Sequence, residues 1–423
     1  LLFYPLFDYS IVFGEDLRLT VSSITPTTGT STSPKKGRFY INPRVLRENM
    51  TGWLFIAPAA IIIFVFGIFP IGYAVYMSMH DWRTRNMGYV EFANYTNIIG
   101  NWGGAFVLVC GFILLIFAYI FWTEAFKADR EKWFFLRAFI AFLILGVGLF
   151  YIVYAWEMML NAPAESTRLF KYREEFFNGL IRTFYYAFGS IPIQLSLALL
   201  LAYVLFQNIR GKSFFRMVFF MPYITPTVAT AVVWGKIFSP NPNSLINQFT
   251  GIFGADAYRW LQERRPFLNV VFGWELDGFF AGPSMAMIAI IVVGIWMYTG
   301  YNAVIFLAGL GNIPKDLYEA ARVDGATEWM IFRRITLPLI SPVTYYLAIL
   351  GFIGTFQAFN TIYVMRDTRV LDQVDTAALV IFDTFKVDGN YGYATAQSIL
   401  LFIIILALTQ VQRNLFEKRV FYG

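Results

Sequence analysis

The sequence predicts an all-α protein that crosses a membrane about eight times. Three observations predict it. The 423 residues are 58% hydrophobic and 14% charged, with a mean hydropathy of +0.57, far from the balance of a water-soluble domain. The apolar residues gather into spans close to the roughly 20 residues a bilayer needs. Backbone inside lipid must satisfy its own polar groups, so such spans are helices.

Taken in order, residues 1–50 form an N-terminal segment expected on the cytoplasmic side. Leu1–Phe13 is apolar but too short to span, and Ser22–Ser33 reads as a linker rich in Ser, Thr, Pro and Gly. No signal peptide is evident. Apolar spans follow at 52–79, 103–123, 134–158, 180–206, 214–238, 283–310, 339–364 and 394–412, then a short tail, 414–423. Cys110 is the sole cysteine and lies inside a span, so no intrachain disulfide is expected. His80 is the sole histidine, which excludes His-rich metal sites and His-based catalysis. No metal site, catalytic residue or nucleic-acid partner is expected.

Orientation follows from Lys and Arg in the short connections. One alternating set carries Lys35, Lys36, Arg38, Arg44 and Arg47, then Lys127, Arg130, Lys132 and Arg137, Arg210, Lys212 and Arg216, Lys315, Arg322, Arg333 and Arg334, and Arg413, Lys418 and Arg419. The other set is longer yet poorer in both residues. The first set is therefore cytoplasmic, and so are both termini.

Between the sixth and seventh spans lies a charged stretch that reads as helix–turn–helix. Pro314 suits a first turn, and Asp316 and Glu319 favour the positive N-terminal end. Gly325 breaks the run, a second short helix follows, and Pro338 leads into the next span. Its spacing is Glu319-Ala320-Ala321, then Gly325, then Ile335-x-Leu337-Pro338.

That pattern resembles the EAA signature of ABC-importer permeases, with the longer string Ile313–Ala326 similar to the carbohydrate, maltose-permease branch. The likeness extends to Trp53–Trp82, to Phe92–Ile99, and almost continuously from Arg182 to Gln412, including Gly211–Pro226, Leu307–Leu310 and Gly392–Ala396. It departs at Met365-Arg-Asp-Thr-Arg369, where many members carry a Thr-x-Gly-Gly-Pro run. It is also interrupted. Roughly 100–175 stands where members have a short connection, and reads as an inserted transmembrane hairpin. Residues 51–99 then hold the first span and its following segment, and 176–413 the permease core of an ABC type I importer. The resemblance implies that 314–337 is a coupling loop docking on a cytoplasmic ATPase through Glu319, Ala320, Ala321, Asp324 and Gly325. It further implies a second permease subunit, most simply as a heterodimer, two ATP-binding-cassette ATPase chains and an extracytoplasmic solute-binding protein, in an inner membrane.

The chain has no Walker A run of its own. Gly211-Lys212-Ser213 ends like one, but Gln207 stands where its first glycine should be. ATP and Mg are therefore expected on the partner ATPases, with no cofactor in this chain. The cores of the fifth to eighth spans carry no Asp, Glu, Lys, Arg or His except Lys236 near one end. That argues against a proton- or sodium-coupled carrier, which needs buried carboxylates. Glu124, Asp129, Glu131 and Glu157 border the inserted hairpin but alternate with cations, as flanking charges do, rather than forming an enzyme site.

These spans do hold aromatic and hydrogen-bonding side chains: Tyr223, Thr225, Thr227, Trp234, Trp296, Tyr298, Tyr301, Asn302, Thr355, Gln357 and Asn360. Aromatic faces with a few hydroxyl and amide partners suit a neutral, polyhydroxylated ligand. The same residues equally serve as helix–helix hydrogen bonds. In the maltose-type permease the residues matching Tyr223 and Thr227 line the sugar site, and the likeness extends the expected set to Tyr301, Asn302, Thr355, Gln357 and Asn360. On continuous helices Tyr223 and Thr227 would share one face, and Gln357 and Asn360 another. Pro226 removes a backbone donor and frees a carbonyl that a hydroxylated ligand could meet. The expected solute is a neutral oligosaccharide, disaccharide or related polyol; another neutral polar solute is the alternative. The outer segments 239–282 and 367–391 are the expected landing surface for the binding protein.

Overall fold

A computed structural model describes residues 43–83, 86–127, 134–164, 166–207 and 210–416. The N-terminal linker, the residues after Phe416, and Lys35, Lys36, Arg38, Arg85, Arg130, Lys132, Lys418 and Arg419 lie outside the described residues.

The chain divides into two units, Leu1–Val65 and Phe66–Gly423. The first contributes α1 (Pro43–Ile63), an apolar helix that accommodates Pro58. The second begins in the π-helical turn Phe64–Ile68 and continues as α2 (Phe69–Ser78). A two-stranded antiparallel sheet, β1 (His80–Trp82) with β2 (Asn86–Tyr89), pairs His80 with Tyr89. Apart from this sheet the described fold is all-α.

Helix α3 (Ala93–Ile99) leads into the long antiparallel pair α4 (Trp102–Lys127) and α5 (Phe134–Leu160). Helix α6 (Thr167–Phe206) is longer than the span expected at 180–206, because Ser166 caps it early by accepting from the Leu169 amide at 3.3 Å. Then come α7 (Lys212–Ile224), α8 (Thr227–Ile237), α9 (Leu245–Ile252), α10 (Phe267–Phe272) and α11 (Met285–Gly311). The charged stretch forms α12 (Lys315–Val323) and α13 (Glu328–Ile331), with a π-helical turn Phe332–Thr336 and α14 (Leu337–Leu339) behind them. Helices α15 (Ser341–Phe356), α16 (Asn360–Met365), α17 (Leu371–Val374), α18 (Ala377–Lys386) and α19 (Tyr391–Phe416) complete the chain.

Six described helices are long and apolar enough to cross a membrane, and two bent pairs raise the number to eight if each pair is one span. Helix α11 is the central one. Half of its most apolar window is buried, against 33% for α6 and less for the other long spans. Its first half, Met285–Met297, packs with Trp260, Ile362 and α17–α18; its second half, Ala303–Leu310, packs with α6, α15 and α19. Helix α6 packs beside it, with Gly189 against Ile291 and Tyr186 against Gly294.

Two spans differ from the straight helices that the sequence suggests. The fifth breaks at Thr225–Pro226, where α7 and α8 meet at 94°. Thr225 is extended (ψ 137°), as a residue before proline prefers, and Pro226 has no amide to continue the ladder. The seventh bends by 60° at Ile340–Ser341 and breaks again at Gln357–Phe359. Neither proline nor glycine marks that second break. Phe359 instead packs between Tyr363 (5.2 Å) and Phe382 (4.8 Å), so tertiary packing sets it. Tyr223 and Thr227 therefore lie on different helices, as do Gln357 and Asn360. Neither pair shares a helical face.

Candidate functional site

Three features are arranged along α11, one near its middle and one at each end. Near its middle an aromatic group is held by one close helix contact. A Cβ on Gly300 would fall 1.7 Å from the Phe219 carbonyl, so α7 and α11 touch backbone to backbone there. That contact sets the Tyr223 ring on Tyr301, with centroids 4.3 Å apart and planes 22° apart. Tyr298, one turn earlier on α11, meets Tyr223 edge-on at 6.0 Å. On α8, Trp234 meets Trp296 at 5.4 Å. Tyr223 is 41% exposed and Trp296 42%, so the group opens onto the surface of this chain.

Of the expected ligand set, only Tyr223 and Tyr301 are brought into contact. Thr227 is half-buried at the start of α8. Asn302 and Thr355 are buried, and Thr355 donates locally to the Phe352 carbonyl at 3.0 Å. Gln357 and Asn360 are exposed on the two sides of the break between α15 and α16. Tyr298 belongs with Tyr223 and Tyr301, although the expected set leaves it out. Its i, i+3 spacing from Tyr301 is the signal that identifies it.

The second feature is the loop from α12 to α13. Pro314 precedes α12, Asp316 sits in its first turn and Arg322 in its last, each complementing the helix dipole. Gly325 ends it at φ 77°, with the Ala326 amide donating to the Ala321 carbonyl (2.9 Å) and the Gly325 amide to that of Arg322 (3.1 Å). Thr327 then caps α13 by accepting from the Met330 amide, and Arg322 pairs with Glu328 at 3.1 Å. The loop is anchored through Tyr203 on Phe332 (4.9 Å) and Tyr318 beside Phe206. Glu319, Ala320, Asp324 and Gly325 are exposed and Ala321 is half-buried. Val323 (88% exposed) and Trp329 (67%) are apolar and uncovered beside them. Two large apolar side chains thus stand uncovered on a charged turn.

At the other end of α11 the two long segments are tied together. Arg264 pairs with Asp372 and donates to the Arg369 carbonyl, while Gln262 bonds both Asp367 and Arg369. Below them Arg366 grips Asp383 with two bonds (2.7 and 3.1 Å) and Asp375 with a third (3.0 Å). Burial pushes the Asp375 carboxyl up to about 6, against the pull of Arg366. Burial opposes the charge on Arg366 too, but the carboxylates of Asp383 and Asp375 hold it above its ordinary range. Among the described residues no group of three or more His, Cys, Asp or Glu is placed to hold a metal ion.

Residues 169–422 match the family model "Binding-protein-dependent transport system inner membrane component". The chain is 30% identical over 237 residues to the trehalose/maltose transport system permease protein MalF of Thermococcus litoralis, covering 56% of this chain and 73% of that protein. It is 30% identical over 253 residues to the sn-glycerol-3-phosphate transport system permease protein UgpA of Agrobacterium fabrum, covering 59% and 78%. Among solved structures, a chain of a bacterial ABC transporter involved in the import of the acidic polysaccharide alginate superposes with a TM-score of 0.50 at 20% identity, covering 66% of this chain and 95% of that one.

Proposed function

The chain belongs to the family of binding-protein-dependent transport system inner membrane components, a family of multi-pass permeases, and on that premise we propose that it is one permease subunit of an ATP-driven importer for a neutral carbohydrate. The exposed α12–Gly325–α13 loop carries this reading. It is a rigid turn with apolar residues turned outward, suited to a cleft on a partner ATPase. Glu319, Ala320, Ala321, Asp324 and Gly325 form its contact. ATP and Mg bind to two ATPase chains, whose closure draws the coupling loops together and opens the cavity between this subunit and a second permease. The opposite end, tied by Arg264 and Gln262, receives a solute-binding protein. Both termini and the coupling loop face the cytoplasm, and this chain performs no chemistry of its own.

The ligand class rests on the chain's own residues. From Met217 to Gly235, and throughout α11, α15 and α16, there is no charged side chain. The relatives named for sn-glycerol-3-phosphate and alginate carry anions, which need a cation at the site. Here Tyr223, Tyr298 and Tyr301 offer ring faces and hydroxyls, with Thr227, Asn302, Thr355, Gln357 and Asn360 as the hydrogen-bonding residues of the surrounding helices. Such a set fits a neutral sugar or polyol.

The test is uptake in proteoliposomes containing the chain with its partner permease, ATPases and binding protein. ATP-dependent entry of a labelled neutral sugar is expected. Glu319→Lys with Gly325→Val should abolish both uptake and ATPase stimulation while the protein stays in the membrane. Normal uptake in that variant, or uptake driven by an ion gradient without ATP, would sink the assignment.

A further inference from the structure

The chain passes into and out of the α4–α5 hairpin beside one side chain. Arg173, on α6, is buried to 1% exposure. Its guanidinium donates from Nε to the Asn97 carbonyl (2.8 Å), and from Nη1 to the carbonyls of Ala162 (2.6 Å) and Met159 (3.5 Å). Asn97 lies in the last turn of α3, which leads into the hairpin. Met159 lies in the last turn of α5 and Ala162 just beyond it, where the chain leads out. Carbonyls at helix C-termini lack partners and carry partial negative charge, so one cation satisfies both ends. Gly100 closes the joint: at φ 75°, its added Cβ would fall 2.4 Å from the Met159 carbonyl and 2.8 Å from Arg173 Nη1.

Beyond the joint the hairpin seals on itself. Gly104, Gly111 and Ala118 recur at heptad spacing on α4, and Ala141, Gly148 and Ala155 do so on α5. A Cβ on Gly104 would lie 3.2 Å from the Ala155 carbonyl, and one on Gly111 3.1 Å from that of Gly148. Ala118 and Ala141 are buried farther along. Backbones meet at this seam, and the large side chains turn outward: Phe106, Phe112, Phe139, Phe142 and Phe150 are all exposed. Small residues inside and phenylalanines outside suit hydrocarbon, not water. The hairpin residues that join the apolar core are Ala105, Leu108, Trp156, Met159 and Leu160, all close to the joint.

We propose that α4–α5 is a self-contained arm immersed in lipid acyl chains, fastened to the core at the Arg173 joint and lying outside the translocation path. The placement relative to the path rests on the permease reading above; the lipid contact does not.

Two experiments separate these parts. A bromine-labelled acyl chain should quench a fluorophore attached at Phe142→Cys strongly, and one at Val374→Cys weakly; equal weak quenching at both sites overturns the arm. The second replaces residues 102–160 with a short Gly-Ser bridge. Uptake per assembled complex should stay within about twofold of the parent, the scale expected for changes away from the working parts. Should the shortened chain fail to assemble, Gly111→Leu with Gly148→Leu in the full chain serves instead. It pries the seam apart, and the assembled protein should again transport within about twofold. A large loss of uptake in either assembled variant overturns the proposal, provided that the parent itself transports.

Discussion

The hairpin α4–α5 and the bent pair α7–α8 against α11 both use glycine to bring helix backbones together, with opposite results. In the hairpin the contacts repeat and neither helix contains proline, so 26 and 27 residues run without a break. Every interior backbone group is satisfied within its own helix, and such a segment has little to offer a polar solute. Around α11 there is one extreme contact, at Gly300, and its neighbours break at Pro226, at Ser341 and at Phe359. Broken backbone at membrane depth needs a partner or a cavity. Continuity therefore leaves the hairpin without free backbone groups, and interruption leaves some around α11 that need partners.

The hairpin joint and the segment after α16 also differ in how they hold an arginine that is largely shielded from solvent. Arg173 is met by backbone carbonyls, which do not titrate. Arg366 is met by two carboxylates, one of them Asp375, raised to about 6. Between about pH 4 and 6 a partner of the second arginine takes up a proton, and the partners of the first do not.

The largest effect expected is at Gly300. Even Gly300→Ala drives a methyl into the Phe219 carbonyl, and overpacking of this kind costs about 1–3 kcal/mol or more. Assembled protein in detergent extracts should drop sharply. Gly146→Ala, with nothing within 4 Å of its Cβ, should match the parent. Equal yields from the two would break the comparison.

Next is Tyr223→Ala. Losing the stacked ring and its hydroxyl should cost about 1–3 kcal/mol of ligand interaction, read as weaker uptake at normal assembly. Thr227→Val and Asn360→Ala should follow in the same direction. If all three transport like the parent, the aromatic group is a helix contact and nothing more.

A smaller effect separates the two arginines. Asp375 holds its proton more tightly folded than unfolded, because its carboxyl is raised from 3.8 to about 6. In that window the folded state binds more protons, so stability falls as pH rises from about 4 to 6. Thermal unfolding followed across that range should show this slope, and Asp375→Asn should flatten it. Arg173→Lys should change stability without adding a slope.

The smallest effect is at Arg322→Gln. Its ion pair with Glu328 is more than half exposed on both sides, and such pairs contribute about 0–1 kcal/mol. The turn closed by Gly325 should survive, with ATPase stimulation near that of the parent.

Much of this was legible in the sequence. The span positions followed from hydropathy, and the turn between α12 and α13 from Pro314, Gly325 and their spacing. Pro226 was visible as a missing backbone donor, but 214–238 reads in the sequence as one helix, and the 94° corner there comes from the structure. The break at Gln357–Phe359 was illegible, because Phe359 is placed by Phe382 from a distant helix and not by any local breaker. The same holds for the site. Tyr223 and Tyr301 could be chosen by chemistry, but their stacking depends on Gly300. A glycine inside an apolar span does not reveal which backbone it meets. The heptad of small residues in the hairpin stood in the sequence, yet only its partner across the seam gives it meaning.

The corner between α7 and α8 joins two short arms set at 94°, one packed along α11 and the other against α16. At nearly a right angle, the axis of one arm lies across the axis of the other, so the two cannot slide lengthwise together as one rod. The corner thus lets a single span of the chain lie along α11 with one arm and against α16 with the other, without either arm bending.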